Sequence, residues 1–232
     1  MDAGLYLYTV PARRAWCIMK KIEDLRKSYH HGSLDQSDIT PDPMDLFRLW
    51  WHEAVGAEIE EVNAMTLSTI DRHGHPSARI VLLKGLHAEG FEFFTNYNSK
   101  KAEDMKAHPH VALLFFWKEM ERQIRIEGTV EKVSKERSEQ YFQSRPRGSQ
   151  IGAWISPQSQ VIDDRAVLEA NLKLIEERYA GVDPLPLPEH WGGYLVRPRM
   201  IEFWQGRPDR LHDRFRYELV HDGLWKAERL AP

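Results

Sequence analysis

AMTLSTIDRHGHPSARIVLLKGLHAEGFEFFTNYNSKKAEDMKAHPHVALLFFWKEMERQIRIEGTVEKV, residues 64–133, is the stretch whose periodicity decides the fold. Ala64 to Ile70, Ser77 to Gly85, Phe91 to Asn96, His110 to Lys118 and Arg122 to Val133 are rich in β-branched and aromatic residues and are parted by turn signals. Asp71-Arg72-His73-Gly74 reads as a hairpin link and Glu89-Gly90 as another turn. Strands this closely linked predict an antiparallel meander, which closes into a barrel or sandwich to hide its edges. Parallel strands would need crossovers of about a dozen residues or more, usually helical, and only Ser99 to Ala107 offers one.

Upstream, Asp42-Pro43 reads as an N-cap followed by a first-turn proline. Phe47, Trp50, Trp51, Ala54 and Val55 then fall at helical spacing and predict one apolar face. Downstream, helices are expected around Lys135 to Ser144, Ser149 to Ile155 and Asp164 to Tyr179, the last with Leu168, Leu172, Ile175 and Tyr179 as its stripe. A proline-rich connector, Pro184 to Pro188, leads to strands at Gly193 to Val196, Met200 to Gln205 and Leu211 to Leu219, which complete the early sheet before a turn at His221-Asp222-Gly223. The class is therefore β-rich α+β, an antiparallel barrel with surrounding helices. With no repeat and no long linker, residues 20–232 form one domain behind a flexible tail at 1–19. Leu5 to Val10 is too short for a secretory core, Met19 is a plausible natural start, and Ile22 to Tyr29 is the first segment with a helical pattern.

Composition narrows the function. Lys and Arg (32) nearly balance Asp and Glu (35), so a net charge of -3 carries no polyelectrolyte signature for nucleic acid. The single cysteine, Cys17, excludes an internal disulfide framework and fits a reducing cytoplasm. No apolar run approaches the ~20 residues of a membrane span. His30-His31, His73 with His75 and His108 with His110 lack a ligand spacing such as HExxH, so no metal is expected. There is neither a GxxxxGK[ST] loop nor a GxGxxG turn, so a phosphorylated ligand has to be held by side chains.

Three segments offer such side chains. Arg79 lies in ARIVLLK, and Ser99-Lys100-Lys101 opens a helix, so a helix N-terminus and two ammonium groups can meet one dianion. In YFQSRPRGSQIGAW, Tyr141 and Arg145 share a helix face, and Pro146 biases Arg145 away from helical geometry; with Ser149, a phenol, a guanidinium and a hydroxyl can bind one phosphate. In FWQGRPDRLHDRF, Arg210, His212 and Arg214 would share one face of a strand, and that face suits an anion or water rather than a core.

RIVLLK (Arg79 to Lys84), FFTNYNSKKA (Phe93 to Ala102), YFQSRPRGSQIGAWISPQS (Tyr141 to Ser159) and FWQGRPDRLHDR (Phe203 to Arg214), in this order, resemble the signature segments of the pyridoxine/pyridoxamine 5′-phosphate oxidases. The resemblance implies an FMN-binding split β-barrel, a homodimer with FMN at the subunit interface. FMN contacts are implied for Arg79, Ile80, Val81, Leu82, Leu83, Lys84, Phe94, Thr95, Lys100, Lys101, Gln123, Gln158, Ser159, Trp204 and Arg214. Substrate contacts are implied for Lys84, Tyr141, Arg145, Ser149, Arg210, Leu211 and His212, and for Arg26, Lys27, Ser28 and Tyr29 of an N-terminal segment that closes over the site. Arg210 and His212 are the implied catalytic pair, with Arg210 over the substrate ring and His212 a candidate to accept a proton or to orient the substrate. Lys100, Phe94 and Gln143 stand where arginine, tyrosine and histidine are frequent, and Lys100 keeps the charge but loses the bidentate fork. The implied reaction is hydride transfer from a phosphorylated pyridine to FMN and reoxidation by oxygen to give hydrogen peroxide. Rival readings are a flavin reductase using a nicotinamide donor and a non-catalytic pyridoxal phosphate carrier. Arg79 and Lys84 are an odd number of positions apart, so a regular strand sends them to opposite faces. Either the strand is distorted near Leu83 to Gly85, the reading we favour, or the two residues serve different sites across a dimer interface.

Overall fold

The computed structural model describes residues 27–232. The expected tail at 1–19, with Cys17 and Met19, and most of the expected helix from Ile22, including Arg26, lie outside the described residues; Lys27 to Tyr29 have no regular secondary structure. α1 (Pro43–Gly56) begins where Asp42 accepts a hydrogen bond from the Met44 amide at 2.9 Å, with Pro43 in the first turn. Leu46, Phe47, Trp50 and Ala54 turn inward, whereas Val55, assigned to the same face from its spacing, is 49% exposed because it falls beyond the edge of that stripe.

The strands are β1 (Ala64–Ile70), β2 (Pro76–Leu82), β3 (Gly85–His87), β4 (Gly90–Asn96), β5 (His110–Trp117), β6 (Arg122–Lys132), β7 (Trp191–Gln205), β8 (Asp213–Leu219) and β9 (Trp225–Leu230). The described pairings are antiparallel, in the order β2-β1-β5-β6-β7-β4-β3, with β8 added to β7 and β9 to β8. This is not the simple meander the spacing suggested. α2 (Lys100–Ala107) carries the chain from β4 across to β5, which pairs with β1 instead of β4. The two ends of the order, β2 and β3, are consecutive in the chain, so the sheet curls into an open barrel. Their junction is the distortion expected near Leu83: the strand stops at Leu82, and the Leu83 and Lys84 amides donate to the Asn63 and Glu92 carbonyls, each at 2.8 Å.

Phe47 of α1 plugs the barrel, its ring edge-on to Phe91 at 4.9 Å and to Phe115 at 5.3 Å. α3 (Lys135–Ser144), α4 (Arg147–Ile155) and α5 (Ala166–Arg178) enclose a second cluster of Phe142, Ile151, Ala153, Leu185 and Trp191. Leu172, Ile175 and Tyr179 of the expected α5 stripe rest on it.

The late strands expected separately at Gly193 and Met200 are one strand, β7. It pairs with β4 up to Val196 and with β8 from Met200, while β6 runs along its other edge from Tyr194 to Gln205. A bulge opposite Gly128 absorbs the change of partner. A Cβ on Gly128 would lie 2.1 Å from the Arg197 carbonyl oxygen. Gly128→Ala is therefore expected to destabilise the fold by roughly 1–3 kcal/mol, seen as a lower urea midpoint at unchanged slope.

Candidate functional site

A cavity of about 310 Å³ opens beside the free edge of β2. It is lined by Ile80, Val81, Leu82 and Lys84 on one side, Phe94, Thr95, Asn96 and Lys101 at the end of β4 and the start of α2, and Tyr141, Arg145, Gln158 and Trp191 on the other. Arg145 follows the last turn of α3 in an extended conformation (φ -75, ψ 148), held there by the following Pro146, so its side chain leaves the helix axis. Its guanidinium lies over the Trp191 ring at 4.6 Å, and the rings of Tyr141, Phe94 and Trp191 stack in parallel, with Phe94 at 4.0 Å from Tyr141 and 5.5 Å from Trp191. Burial works against the charge of Arg145 and raises the Tyr141 phenol. Nη1 of Arg145 is buried with no hydrogen-bond partner, a donor of the kind folded proteins rarely leave unmatched.

Lys101 donates to Gln158 Oε1 at 3.1 Å, which also accepts from the Thr95 hydroxyl at 3.3 Å. Burial, and after it the nearby Arg79 guanidinium, holds the Lys101 ammonium below its ordinary value. Two cations brought together in a partly buried place suit a bound anion. Arg79 itself does not line the cavity. It sits behind β2, donating to Leu67 O, Thr69 Oγ1 and Ser77 Oγ, with the buried Asp104 at 3.7 Å. Lys100 is paired with the same Asp104, and Leu83 is in the core. Ser149 is exposed in the first turn of α4, and Ser159, at φ 71, lies outside the lining.

A second cavity, about 540 Å³, lies at the other end of β7 and is lined by Lys27, Ser28, Tyr29, Trp204, Arg207, Asp209, Arg210 and His212. The expectation that Arg210, His212 and Arg214 alternate along one strand is overturned here. β8 begins only at Asp213, opposite Gln205, and Pro208–Arg210 forms a 3-10 turn in which Asp209 (φ 55) and Arg210 (φ 63) are left-handed. Proline and two left-handed residues break the two-residue period on which the sequence argument relied. Arg214 points to the buried Glu202 (2.8 Å), Leu211 is 69% exposed beside the cavity, and Gln123 is the β6 neighbour of Trp204. His212 packs against Trp204 at 4.5 Å and accepts a hydrogen bond from the Arg207 amide at Nδ1 (3.1 Å). Its neutral ring therefore carries the proton on Nε2. Burial and then Arg210 push its pKa below the ordinary histidine value.

The sequence reading thus brought most of its residues into two groups, and it missed Asn96, Trp191, Arg207 and Asp209. Trp191 had a signal: Gly192 and Gly193 follow it, and a Cβ on either would strike Tyr97 or Phe94. Among the described residues, no His, Cys, Asp or Glu cluster is placed to hold a metal ion, and no helix is long and apolar enough to cross a membrane.

Residues 51–179 match the family described as "Pyridoxamine 5′-phosphate oxidase", and residues 191–232 match the "Pyridoxine 5′-phosphate oxidase C-terminal dimerisation region". The chain is 56% identical over 215 residues to the pyridoxine/pyridoxamine 5′-phosphate oxidase of Salinibacter ruber, covering 92% of this chain and all of that one. It is 55% identical to pyridoxine/pyridoxamine 5′-phosphate oxidase 1 of Ralstonia nicotianae, with the same coverage. Among solved structures it resembles PhzG from Burkholderia lata 383, crystallised with tetrahydrophenazine-1-carboxylic acid, at 29% identity and TM-score 0.80 over 87% of this chain and all of that one. A pyridoxamine 5′-phosphate oxidase-related, FMN-binding protein from Nostoc punctiforme shares the fold at TM-score 0.64 and 17% identity, over 78% of this chain and 97% of that one. The curled antiparallel sheet is thus the split barrel of these proteins.

Proposed function

This chain belongs to the pyridoxine/pyridoxamine 5′-phosphate oxidase family, and on that premise we propose that it oxidises pyridoxamine and pyridoxine 5′-phosphates to pyridoxal 5′-phosphate with bound FMN, delivering the electrons to oxygen as hydrogen peroxide, with water displacing ammonia when the substrate is the amine. The observation that carries the reading is the meeting of Arg145, Tyr141 and Lys84 in the lining of the first cavity, where burial already works against the Arg145 charge. A phosphate dianion satisfies all three groups, and the charge-assisted bonds offset the burial of the guanidinium.

A single chain does not bring the two cavities together. Trp191 in the first and Trp204 in the second stand thirteen residues apart on β7, roughly 40 Å of extended chain at about 3.3 Å per residue. A pyridine in ring contact with a flavin needs both walls within a few ångströms. We therefore assign the complete site to two chains, the first cavity of one facing the second cavity of its partner in a homodimer. The C-terminal dimerisation match, which contains Trp204, Arg210 and His212, supports this arrangement. So do Ile80, Leu82 and Phe116, which leave an apolar face exposed around β2.

FMN, when bound, supplies the hydride acceptor and the reaction with oxygen. The chain's own groups fit it: Lys101 and the Arg79 charge behind it suit the phosphate, and Thr95 and Gln158 add polar contacts. Tyr141, Arg145 and Lys84 hold the substrate phosphate, a remote anchor that fixes the reacting carbon. Arg210, at the tip of the turn, covers the substrate ring from the partner. His212 presents Nε2–H, so in its neutral state it orients the substrate by donating rather than by accepting a proton.

The functional test is direct. The purified protein should show flavin absorption and release peroxide with pyridoxamine 5′-phosphate or pyridoxine 5′-phosphate but not with NADPH. Turnover with NADPH would make it a flavin reductase, and a colourless protein that refuses FMN would make it a carrier. The role of His212 has its own test. His212→Gln keeps an N–H donor and should retain roughly tenfold more kcat/KM than His212→Ala; equal losses would return the residue to proton acceptance. Because protonation at Nδ1 costs the Arg207 hydrogen bond, and burial with Arg210 already depresses the pKa, the neutral ring persists below the ordinary histidine range. The acid limb of kcat/KM is therefore expected below about pH 6.5 and should shift in His212→Gln.

A further inference from the structure

Glu121 occupies the tight turn between β5 and β6 with a left-handed backbone, φ 55, a region that residues other than glycine and asparagine seldom enter. Its carboxylate is nevertheless buried, and donors from a segment about 90 positions earlier converge on it: the His30 amide at 2.7 Å, the His31 amide at 3.0 Å and the Lys27 ammonium at 3.1 Å. Burial alone would raise its pKa, but the bonds from His31, Lys27 and His30 together hold it below the ordinary glutamate value. The Glu121 carbonyl accepts from the Gly206 amide at 2.7 Å, fixing the same turn to the end of β7. Between these anchors lies Tyr29, its ring edge-on to Trp204 and to His212 at 5.8 Å each. The fit is tight, since a Cβ on Gly206 would stand 2.8 Å from Tyr29 Cγ and 3.0 Å from Glu121 Cβ.

We propose that Glu121 is a positioning residue for the reaction: its carboxylate clasps residues 27–31 onto the barrel so that Tyr29 forms the wall beside His212 and Trp204. Strained backbone persists where surrounding contacts over-determine it, and here those contacts are the ones that seat the segment. The inference rests on the oxidase reading for its kinetic arm only.

The test uses FMN-loaded, full-length protein and pyridoxamine 5′-phosphate. Glu121→Ala is expected to raise KM about tenfold with kcat within about threefold of the parent, since a few charge-assisted hydrogen bonds are lost remote from the reacting atoms. Glu121→Gln, which keeps an oxygen for both backbone amides, should recover most of that loss. Tyr29→Ala combined with Glu121→Ala should be little worse than either alone, the signature of two residues acting through one contact. Gly206→Ala, whose Cβ presses on Tyr29 and on the stem of Glu121 while the carboxylate itself is kept, should reproduce the rise in KM. Independently of activity, trypsin should cut after Lys27 at least tenfold faster in native Glu121→Ala than in the parent. A parental KM in Glu121→Ala, or effects of Glu121→Ala and Tyr29→Ala that multiply, would overturn the proposal. So would equal cleavage of Glu121→Ala and parent. A parent that oxidises no phosphorylated pyridine but shows the cleavage contrast would discard the oxidase reading and leave the clasp standing.

Discussion

Arg145→Ala is expected to lower kcat/KM for pyridoxamine 5′-phosphate by roughly 10²–10⁴-fold, from the loss of two charge-assisted hydrogen bonds worth about 1.5–3 kcal/mol each. The residue is held from several sides. Pro146 keeps its backbone extended, the Gln150 side chain donates to its carbonyl at 2.8 Å, and the guanidinium lies on Trp191. This pre-organisation means that the phosphate meets a guanidinium whose side chain is already ordered. Arg145→Lys should fall between parent and alanine variant, because an ammonium restores charge but not the planar fork. Pyridoxamine without its phosphate is the control, and its slow turnover should be the same in parent and variants. Peroxide release under steady-state conditions measures each value. An equal loss for both substrates would mean that Arg145 does not meet the phosphate.

Mixing two inactive variants is expected to restore activity. If each complete site takes Arg145 from one chain and His212 from the other, a mixed dimer of Arg145→Ala and His212→Ala chains holds one site with both defects and one with neither. Random re-pairing after dissociation and refolding makes about half the dimers mixed, so activity should rise from near background to about a quarter of the parent. The length of β7 between Trp191 and Trp204 makes this result necessary to the reading. A site completed within one chain would give no recovery at any mixing ratio, and that outcome would remove the two-chain assignment. His212→Ala also carries its own loss in the unmixed control, which fixes the baseline.

Much of the fold was legible because the early strands are short, alternating and bounded by strong turn residues. β1 has the bounds expected, and β4, β5 and β6 differ by one residue at one end. Order in the sheet was not legible, since the pairing of β5 with β1 is a long-range choice that linear spacing does not encode. β9 was missed because half of Trp225–Leu230 is charged and, although Trp225 packs against the core, the short edge strand carries no sustained apolar run. β7 was split by Pro198, yet at that position the strand has changed from one edge partner to the other, so the missing amide costs no ladder bond. The strand does end at Leu82, in keeping with the distortion favoured near Leu83 to Gly85, but Arg79 and Lys84 do not line the same cavity. The alternation rule failed after Gly206, where left-handed residues reset the direction of each side chain. Glu121 could not be singled out from sequence, because its partners lie about 90 positions away and two of them are backbone amides.

If each site is shared between two chains, the distance that β7 sets between its two tryptophans has a consequence for inheritance. A cell carrying one sound and one damaged copy of the gene, the damage confined to either half-site, would assemble like pairs and hybrid pairs, and each hybrid would keep one competent centre. Output would then follow the number of sound copies in proportion, without the disproportionate poisoning that occurs when a single faulty subunit silences a whole assembly.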